Sequence, residues 1–360
     1  MVSKHTVFKI LAINPGSTST KLALFENERL LTEKTVRYDV QDFQDCANLM
    51  DQKPLRMACL TGFLQENDTD MAELDAVVGR GGLIRPVEAG TYIVNEQMLA
   101  DLYAGVAGVH ASSLGGVMAE EIGRQYNIPA YIVDPVVVDE LEPVATISGL
   151  PGIRRVSVFH ALNTRAVARI CASDLGMRYE DARFIVAHLG GGISVGAHRY
   201  GRVIDVNNGL TGEGPFSPER SGSILLNAII ERCYSGEYSK KEMLDMVSKN
   251  GGMKAYIGTH DLSKAEKMIL QGDEKAAIIV NAMAYQVCKE IGAMAAVLEG
   301  RIDGIILTGG LAYSPRFCGA IKQRVDQLAP VYTYPGENEL EALAMGALRV
   351  LKEEEKAKIY

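Results

Sequence analysis

The chain predicts an α/β fold built twice, on three observations. Residues 9–31, KILAINPGSTSTKLALFENERLL, read as an apolar strand, a polar Gly-containing turn, a second apolar strand and a polar end. A related pattern returns at 183–206, RFIVAHLGGGISVGAHRYGRVIDV, and aligning Gly16 with Gly190 gives an offset of 174 residues. That offset is close to half of a 360-residue chain, which is itself too long for one ordinary core. Two such hairpins in successive halves predict a duplicated domain with mixed sheets flanked by helices. They also predict two phosphate-binding turns facing one cleft, and nucleotide chemistry between lobes.

The elements follow in order. Strands are predicted at 8–13 and 22–26, with 27–29 turning the chain and a third strand around 33–38. Residues 40–64 read as mostly helical, and 76–79 (AVVG) as a short buried strand. Helices are expected at 96–105 and 114–126, the second ending near Asn127 before Pro129. A strand at 130–133 closes on Asp134 and Pro135. The stretch SGLPGIRR, 148–155, marks the passage between halves. The second half opens with a helix at 160–175 and strands at 184–188, 194–198 and 202–206. Helices follow at 221–234, 239–248, 262–270 and 273–299. A buried strand at 304–308 stops at Gly309 and Gly310, ahead of a helix at 314–328 and a strand at 331–334. The final helix, 338–355, ends in the charge run KEEEKAK, expected to be solvated.

Composition narrows the class. Apolar residues make up 47% of the chain, as in ordinary globular proteins. The net charge of −8, without a basic tract, argues against a nucleic-acid surface. The six cysteines are scattered and form no C-x-x-C pair, so reduced thiols in a cytoplasmic protein are expected. The segment MVSKHTVFKILAIN lacks a signal-peptide apolar region and runs directly into a strand. The longest apolar stretch, 276–298, is broken by Asn281, Gln286, Lys289 and Glu290 and reads as a core helix, so no membrane partner is expected.

Three glycine turns carry the chemistry. In NPGSTSTK (14–21), Gly16 permits a tight turn, Ser17 and Ser19 offer hydroxyls and amides, and Lys21 adds a positive charge. An ordinary hydrophilic hairpin loop is the plain alternative. The turn lies between strands, so it is not a Walker A loop. In HLGGGIS (188–194), Gly190, Gly191 and Gly192 let backbone approach a phosphate, flanked by His188 and Ser194. In ILTGGLAYS (306–314), Gly309 and Gly310 end a buried strand where a nucleotide's adenosine and α-phosphate would fit.

Together these elements resemble the acetate and sugar kinase, heat-shock-70 and actin superfamily, and within it the acetokinase family. The carrying residues are NPGSTSTK (14–21), His160 in SVFHALNTRAVAR, 188–194, ERSG (219–222) and 308–311. The resemblance spans essentially the whole chain in order. It implies two duplicated ribonuclease-H-like domains with the active site in the interdomain cleft. The first, 1–152, would be the acyl or phosphoryl-acceptor domain, with 340–360 packing on it; 153–339 would bind nucleotide. It implies ATP/ADP and Mg²⁺ as cofactors, a small carboxylic acid or acyl phosphate as substrate, and a homo-oligomer, a dimer or higher.

The resemblance also implies roles. Asn14, Ser17, Ser19 and Lys21 would hold phosphate and metal, with Glu339 as the metal-ligand glutamate. Arg80 and Arg220 would be the two arginine clamps, Asp134 an acid near the metal and nucleophile, and His160 the transition-state histidine. His188 through Gly192 would hold the ATP phosphates; Asp261, Gly309 and Gly310 would contact adenosine. Plain alternatives stand beside them: Asp134 as an Asp-Pro turn, His160 and Asp261 as helix caps, Glu339 as a helix N-terminal charge. His110 and Ser112–Ser113 either line the acyl pocket or cap helix 114–126.

Four features resemble the butyrate kinases of the family: Arg80 followed at once by Gly81 and Gly82, Thr18 within the first motif, ERSG at 219–222, and a short chain. They imply the reaction butyrate + ATP = butyryl phosphate + ADP by in-line transfer, with acetate, propionate or isobutyrate as alternative acids. A carboxylate is already ionised at neutral pH, so the reaction needs charge cancellation more than a base. A nucleotide-switch ATPase and a sugar kinase of the same superfamily are the rival classes; Asp134 would serve the latter as base.

Overall fold

The computed structural model describes residues 7–360; residues 1–6, where the segment read as lacking a signal begins, lie outside the described residues. The chain forms two compact units, one running to Val138 and completed by Asn338–Tyr360, the other Asp139–Glu337.

In the first unit β1 (Lys9–Pro15), β2 (Ser19–Glu26) and β3 (Arg29–Arg37) form an antiparallel meander. α1 (Lys53–Glu66) then leads to β4 (Ala76–Arg80), which lies parallel to β1. β5 (Thr91–Ile93), α2 (Glu96–Ala104), α3 (Ser113–Tyr126) and β6 (Ala130–Val133) follow. α3 ends on Asn127, held at φ 54°, as a left-handed cap should be.

The second unit begins its helices with α4 (Ala161–Asp174), then repeats the meander as β7 (Arg183–Leu189), β8 (Ile193–Arg199) and β9 (Arg202–Val206). Five helices follow: α5 (Leu226–Tyr234), α6 (Lys240–Ser248), α7 (Gly252–Ile257), α8 (Leu262–Leu270) and α9 (Glu274–Val297). β10 (Gly304–Gly309), α10 (Pro315–Val325) and β11 (Val331–Pro335) complete a sheet of order β11-β10-β7-β8-β9. The chain then returns to the first sheet with α11 (Glu339–Leu351) and β12 (Lys358–Ile359), giving the order β12-β5-β6-β4-β1-β2-β3. The run β3-β2-β1-β4-β6 thus recurs as β9-β8-β7-β10-β11, with the same antiparallel and parallel pairings. The duplication expected from the hairpins is present in the topology.

Strand alternation sorts the side chains onto two faces of each sheet. Leu11, Ile13, Leu22, Leu24 and Val77 pack into the core beneath α1 and α3. Asn14 and Arg80 sit on the opposite rows of β1 and β4, against which α11 packs. In the second unit Ile185, Ala187, Leu189, Val195 and Leu307 join the core that includes α9. Phe184, Val186 and Ile306 pack instead with Val167, Ala168 and Cys171 of α4. The period of two therefore delivers His188, Ser194 and Thr308 to the α4 face.

Several expectations need correction. The first hairpin's ladder continues through Asn14↔Lys21 and Pro15↔Thr20, so the polar motif is mostly strand and the turn shrinks to residues 16–18. Residues 40–64 are helical only from Lys53; before it come two 3-10 turns with capping boxes on Asp39 and Asn48. The helix expected at 221–234 starts at Leu226; Gly222 before it takes φ 61°, and a Cβ there would stand 2.4 Å from the Phe216 amide nitrogen. The run KEEEKAK is solvated over most of its length, as expected, but it lies past the helix: α11 stops at Leu351, and Glu355 accepts both the Thr91 amide (3.2 Å) and Arg349 Nε (3.0 Å). The passage between units falls at Val138, so 148–155 lies inside the second unit. α7, β5 and β12 were not anticipated. All six cysteines are free thiols, and no described helix is long and apolar enough to cross a membrane.

Candidate active site

In the first unit the structure brings Asn14, Arg80 and Glu339 together. Glu339 opens α11, is buried, and receives Asn14 Nδ2 at 2.6 Å. Arg80 grips the same carboxylate with both terminal nitrogens, Nη1–Oε2 at 3.0 Å and Nη2–Oε1 at 2.9 Å, and also reaches Asn14 Oδ1 at 3.3 Å. Such a two-pronged fork is the geometry with which arginine recognises carboxylate or phosphate. Lys21 lies opposite Asn14 in the β1–β2 register, hence on the same face, and has no ion-pair partner among the described residues.

Asp134 follows β6, in the row next to Arg80, since Arg80 pairs with Val133. It is buried and adopts φ 38° ahead of Pro135, a conformation that costs a non-glycine residue free energy. Its Oδ1 accepts the Gly90 amide at 2.8 Å. Ser17 and Ser19 lie on and just after the first turn, Ser17 exposed. Beneath β4, Gly79 and Gly115 touch so closely that a Cβ on Gly79 would stand 2.0 Å from the Gly115 carbonyl oxygen. This fixes α3, and with it the buried Ser112 and Ser113. His110 Nδ1 bonds Ser112 Oγ at 2.9 Å, and Ser112 makes no side-chain cap, so the pair does not cap α3.

In the second unit His160, His188 and Ser194 form one cluster. The His160 and His188 rings stack with centroids 3.7 Å apart and planes 7° from parallel. His160 Nδ1 lies 3.1 Å from Ser194 Oγ, and His160 makes no side-chain cap to α4. Asn163, one turn into α4, extends its amide nitrogen to His188 Nδ1 (2.9 Å) and Thr308 Oγ1 (3.2 Å). The His188 Nε2 atom is buried, 3.1 Å from Glu337 Oε1 but off the line of a hydrogen bond. That leaves an aimed polar atom beside the glycine loop.

Arg220 lies across that loop. Its Nη1 donates to the Gly209 carbonyl, and a Cβ on Gly192 would stand 1.9 Å from the same nitrogen. Burial pulls the Arg220 guanidinium below its ordinary pKa, with Glu219 opposing the shift. Ser217 ties the two loops, donating to Gly191 O at 2.5 Å and accepting the Arg220 amide at 3.1 Å.

Asp261 caps α8 through the Ser263 and Lys264 amides (2.9 and 3.3 Å), as its plain reading expected. It also lines a cavity of about 320 Å³ with Gly310, Leu311, Tyr313, Ser314 and Glu266. Gly309, at φ 90°, admits no side chain because a Cβ would meet Leu189 O at 2.5 Å. Above Gly310 the space is open. A larger cavity, about 660 Å³, opens behind the 219–222 loop among Leu225, Ile229, Met243, Val247 and Ile279; no predicted site residue lines it.

Sequence reasoning gave no role to Asn163, Thr308 or Arg56, although the first two lie within the motifs that carry the resemblance. Alternation along β10 could have found Thr308, and the i+3 spacing from His160 could have found Asn163. Arg56 carried no signal, because it interrupts the apolar pattern of α1 as a surface residue would.

Among the described residues no group of three or more His, Cys, Asp or Glu side chains forms a metal cage. Mg²⁺ does not require one, since it binds through one or two carboxylates together with substrate phosphates. The Glu339 carboxylate with Asn14 Oδ1 is an all-oxygen donor set of that kind.

The acetokinase family model matches residues 146–329, just over half of the chain. Among solved structures, acetate kinase from Porphyromonas gingivalis is 19% identical with a TM-score of 0.80, over 96% of this chain and 100% of that one. A propionate kinase from Francisella tularensis subsp. tularensis SCHU S4 is 19% identical at TM-score 0.74, over 94% and 98%. Acetate kinase from Entamoeba histolytica is 17% identical at TM-score 0.75, with the same coverages. At these identities the likenesses establish the shared two-sheet fold.

Proposed function

Since the chain belongs to the acetokinase family, as a phosphotransferase with a carboxylate acceptor, we propose that its acceptor is butyrate and its donor ATP. The observation that carries the reading is the grip of Arg80 on the buried Glu339 carboxylate: a half-buried guanidinium already holds a carboxylate with two bonds. An incoming acid or phosphoryl group would take that fork in exchange. Mg²⁺, held by Glu339 and Asn14, would supply charge neutralisation at the phosphoryl oxygens.

In this reading the first unit holds the acid and the transferring phosphoryl, and the second holds the nucleotide. Ser17, Ser19 and Lys21 bind phosphoryl oxygens from the first turn. The Gly190–Gly192 backbone and His188 Nε2 hold the ATP phosphates, while Asp261, Gly309 and Gly310 border the adenosine. Phosphoryl transfer spreads charge over equatorial oxygens, and Arg80 and Arg220 cancel it. His160, oriented by Ser194 and the His188 ring, donates to the same oxygens rather than acting as base, because the carboxylate needs no deprotonation. Asp134, held by the Gly90 amide, fixes the β6 end beside Arg80 and stands near the nucleophile. Butyrate rather than acetate is favoured by Gly81 and Gly82 directly after Arg80. Both are packed too closely for side chains, against Pro135 and Ser113.

The test is Mg·ATP with acetate, propionate, butyrate, isobutyrate and valerate, trapping acyl phosphate as hydroxamate. The expected order places butyrate first by kcat/KM. A preference for acetate overturns the acid assignment; no hydroxamate from any acid overturns the carboxylate kinase reading.

A further inference from the structure

Arg56 is a fully buried arginine on α1 with no carboxylate in ion-pair range among the described residues. Its guanidinium is spent on the underside of the first turn. Nη1 donates to Ser19 O (3.0 Å) and Thr20 Oγ1 (2.8 Å); Nη2 donates to Gly16 O (3.0 Å) and Gln52 Oε1 (2.9 Å). The guanidinium lies over the Tyr38 and Phe43 rings, 4.8 and 5.1 Å from their centroids. Tyr38 in turn bonds Thr20 Oγ1 at 3.1 Å, and its amide takes Thr18 O at 2.9 Å. Nε is buried with no acceptor.

These bonds hold the carbonyls of Gly16 and Ser19 toward the Arg56 guanidinium, while the Tyr38 amide takes the carbonyl of Thr18. The Ser17 and Thr18 amides make no hydrogen bond to described residues, and both residues are exposed. Successive free amides in a tight turn form an anion-binding nest. A buried cation without a counter-charge is costly, and an anion seated on the other side of the turn would offset that cost.

We infer that Arg56 is a positioning residue for phosphoryl binding: it pins the turn's carbonyls inward, which presents the Ser17 and Thr18 amides to a phosphate oxygen. The inference rests on the reading of this turn as a phosphate cradle, and it adds a residue that touches no substrate. A guanidinium fork is required, since lysine can supply the charge but cannot hold two carbonyls and a hydroxyl in one plane.

The experiment follows the Ser17 and Thr18 amide resonances of the full chain, labelled with ¹⁵N at serine and threonine, during titration with inorganic phosphate. Both should shift saturably in the unsubstituted protein. In Arg56→Lys and Arg56→Gln, each checked for folding by circular dichroism, phosphate affinity should fall about tenfold or more, with lysine the milder. Thr20→Val and Gln52→Ala keep the buried charge but loosen its latch, and each should weaken phosphate about threefold even if Arg56→Gln fails to fold. Unchanged affinity in the folded variants, or unmoved Ser17 and Thr18 resonances in the unsubstituted protein, overturns the inference. No turnover is involved, so a chain that binds phosphate as described yet phosphorylates no acid refutes the kinase reading and leaves the role of Arg56 standing.

Discussion

Adding one methyl group at Gly192 should disarm Arg220 without altering it. The methyl carbon would stand 1.9 Å from Arg220 Nη1 and 2.8 Å from both Arg220 Cζ and Gly209 O. To regain ordinary contact the guanidinium must retreat by about 1.5 Å, which breaks its bond to Gly209 O. A misplacement of about 1 Å at a reacting centre costs roughly 10²-fold, and loss of a transition-state arginine about 10³-fold or more. Gly192→Ala should therefore lower kcat by about 10²- to 10³-fold. Overpacking should cost about 1–3 kcal/mol of stability. The assay is a double-mutant cycle with Arg220→Ala, following acyl phosphate formation at saturating ATP and acid. If the methyl acts through Arg220, the double variant should be no slower than Arg220→Ala alone, a coupling of about 3 kcal/mol. A double variant slowed by the product of the two single effects, or a folded Gly192→Ala with unchanged kcat, refutes the reasoning.

Other consequences can be checked in parallel. Glu339→Gln strips Arg80 of its carboxylate, so thermal unfolding should show a loss of about 1–3 kcal/mol and the Mg²⁺ needed for half-maximal activity should rise. Asn163→Ala leaves His188 Nδ1 and Thr308 Oγ1 without their shared partner; a stability loss of about 1–3 kcal/mol is expected, with kcat falling more than KM rises. His198, fully buried beside Tyr179, has its pKa pushed down to about 3, first by burial and then by Arg165. Its folded value lies below the unfolded one, so the unfolded chain binds the extra proton. Stability is fully present above about pH 6.5 and falls as pH drops toward 3, by about 2 kcal/mol at pH 5. His198→Phe should flatten that part of the unfolding-versus-pH curve; an unchanged slope removes His198 as its source.

What the sequence made legible was the repeated meander, because alternation and glycine turns are local signals. The same alternation, carried two residues further, explains why Asn14, Arg80, His188 and Ser194 all face helices whose N-terminal ends bring Glu339 or His160. The geometry of the 219–222 loop was less legible, since Gly222 at φ 61° against Phe216 is a tertiary constraint that a helical pattern hides. Short elements such as β5 and β12 exist only through pairing with distant strands and carry no period of their own. Arg56 shows the limit best: a charged residue in a weakly amphipathic helix reads as solvated, and only the turn packed above it accounts for its burial.

The most direct test of the central claim is ³¹P NMR of the chain with Mg·ATP, in the presence and absence of butyrate. Phosphoryl transfer to a carboxylate predicts an acyl phosphate resonance that grows one-for-one with ADP, only when the acid is present. ADP accompanied solely by inorganic phosphate, at a rate indifferent to butyrate, would contradict it and make the chain a nucleotide hydrolase.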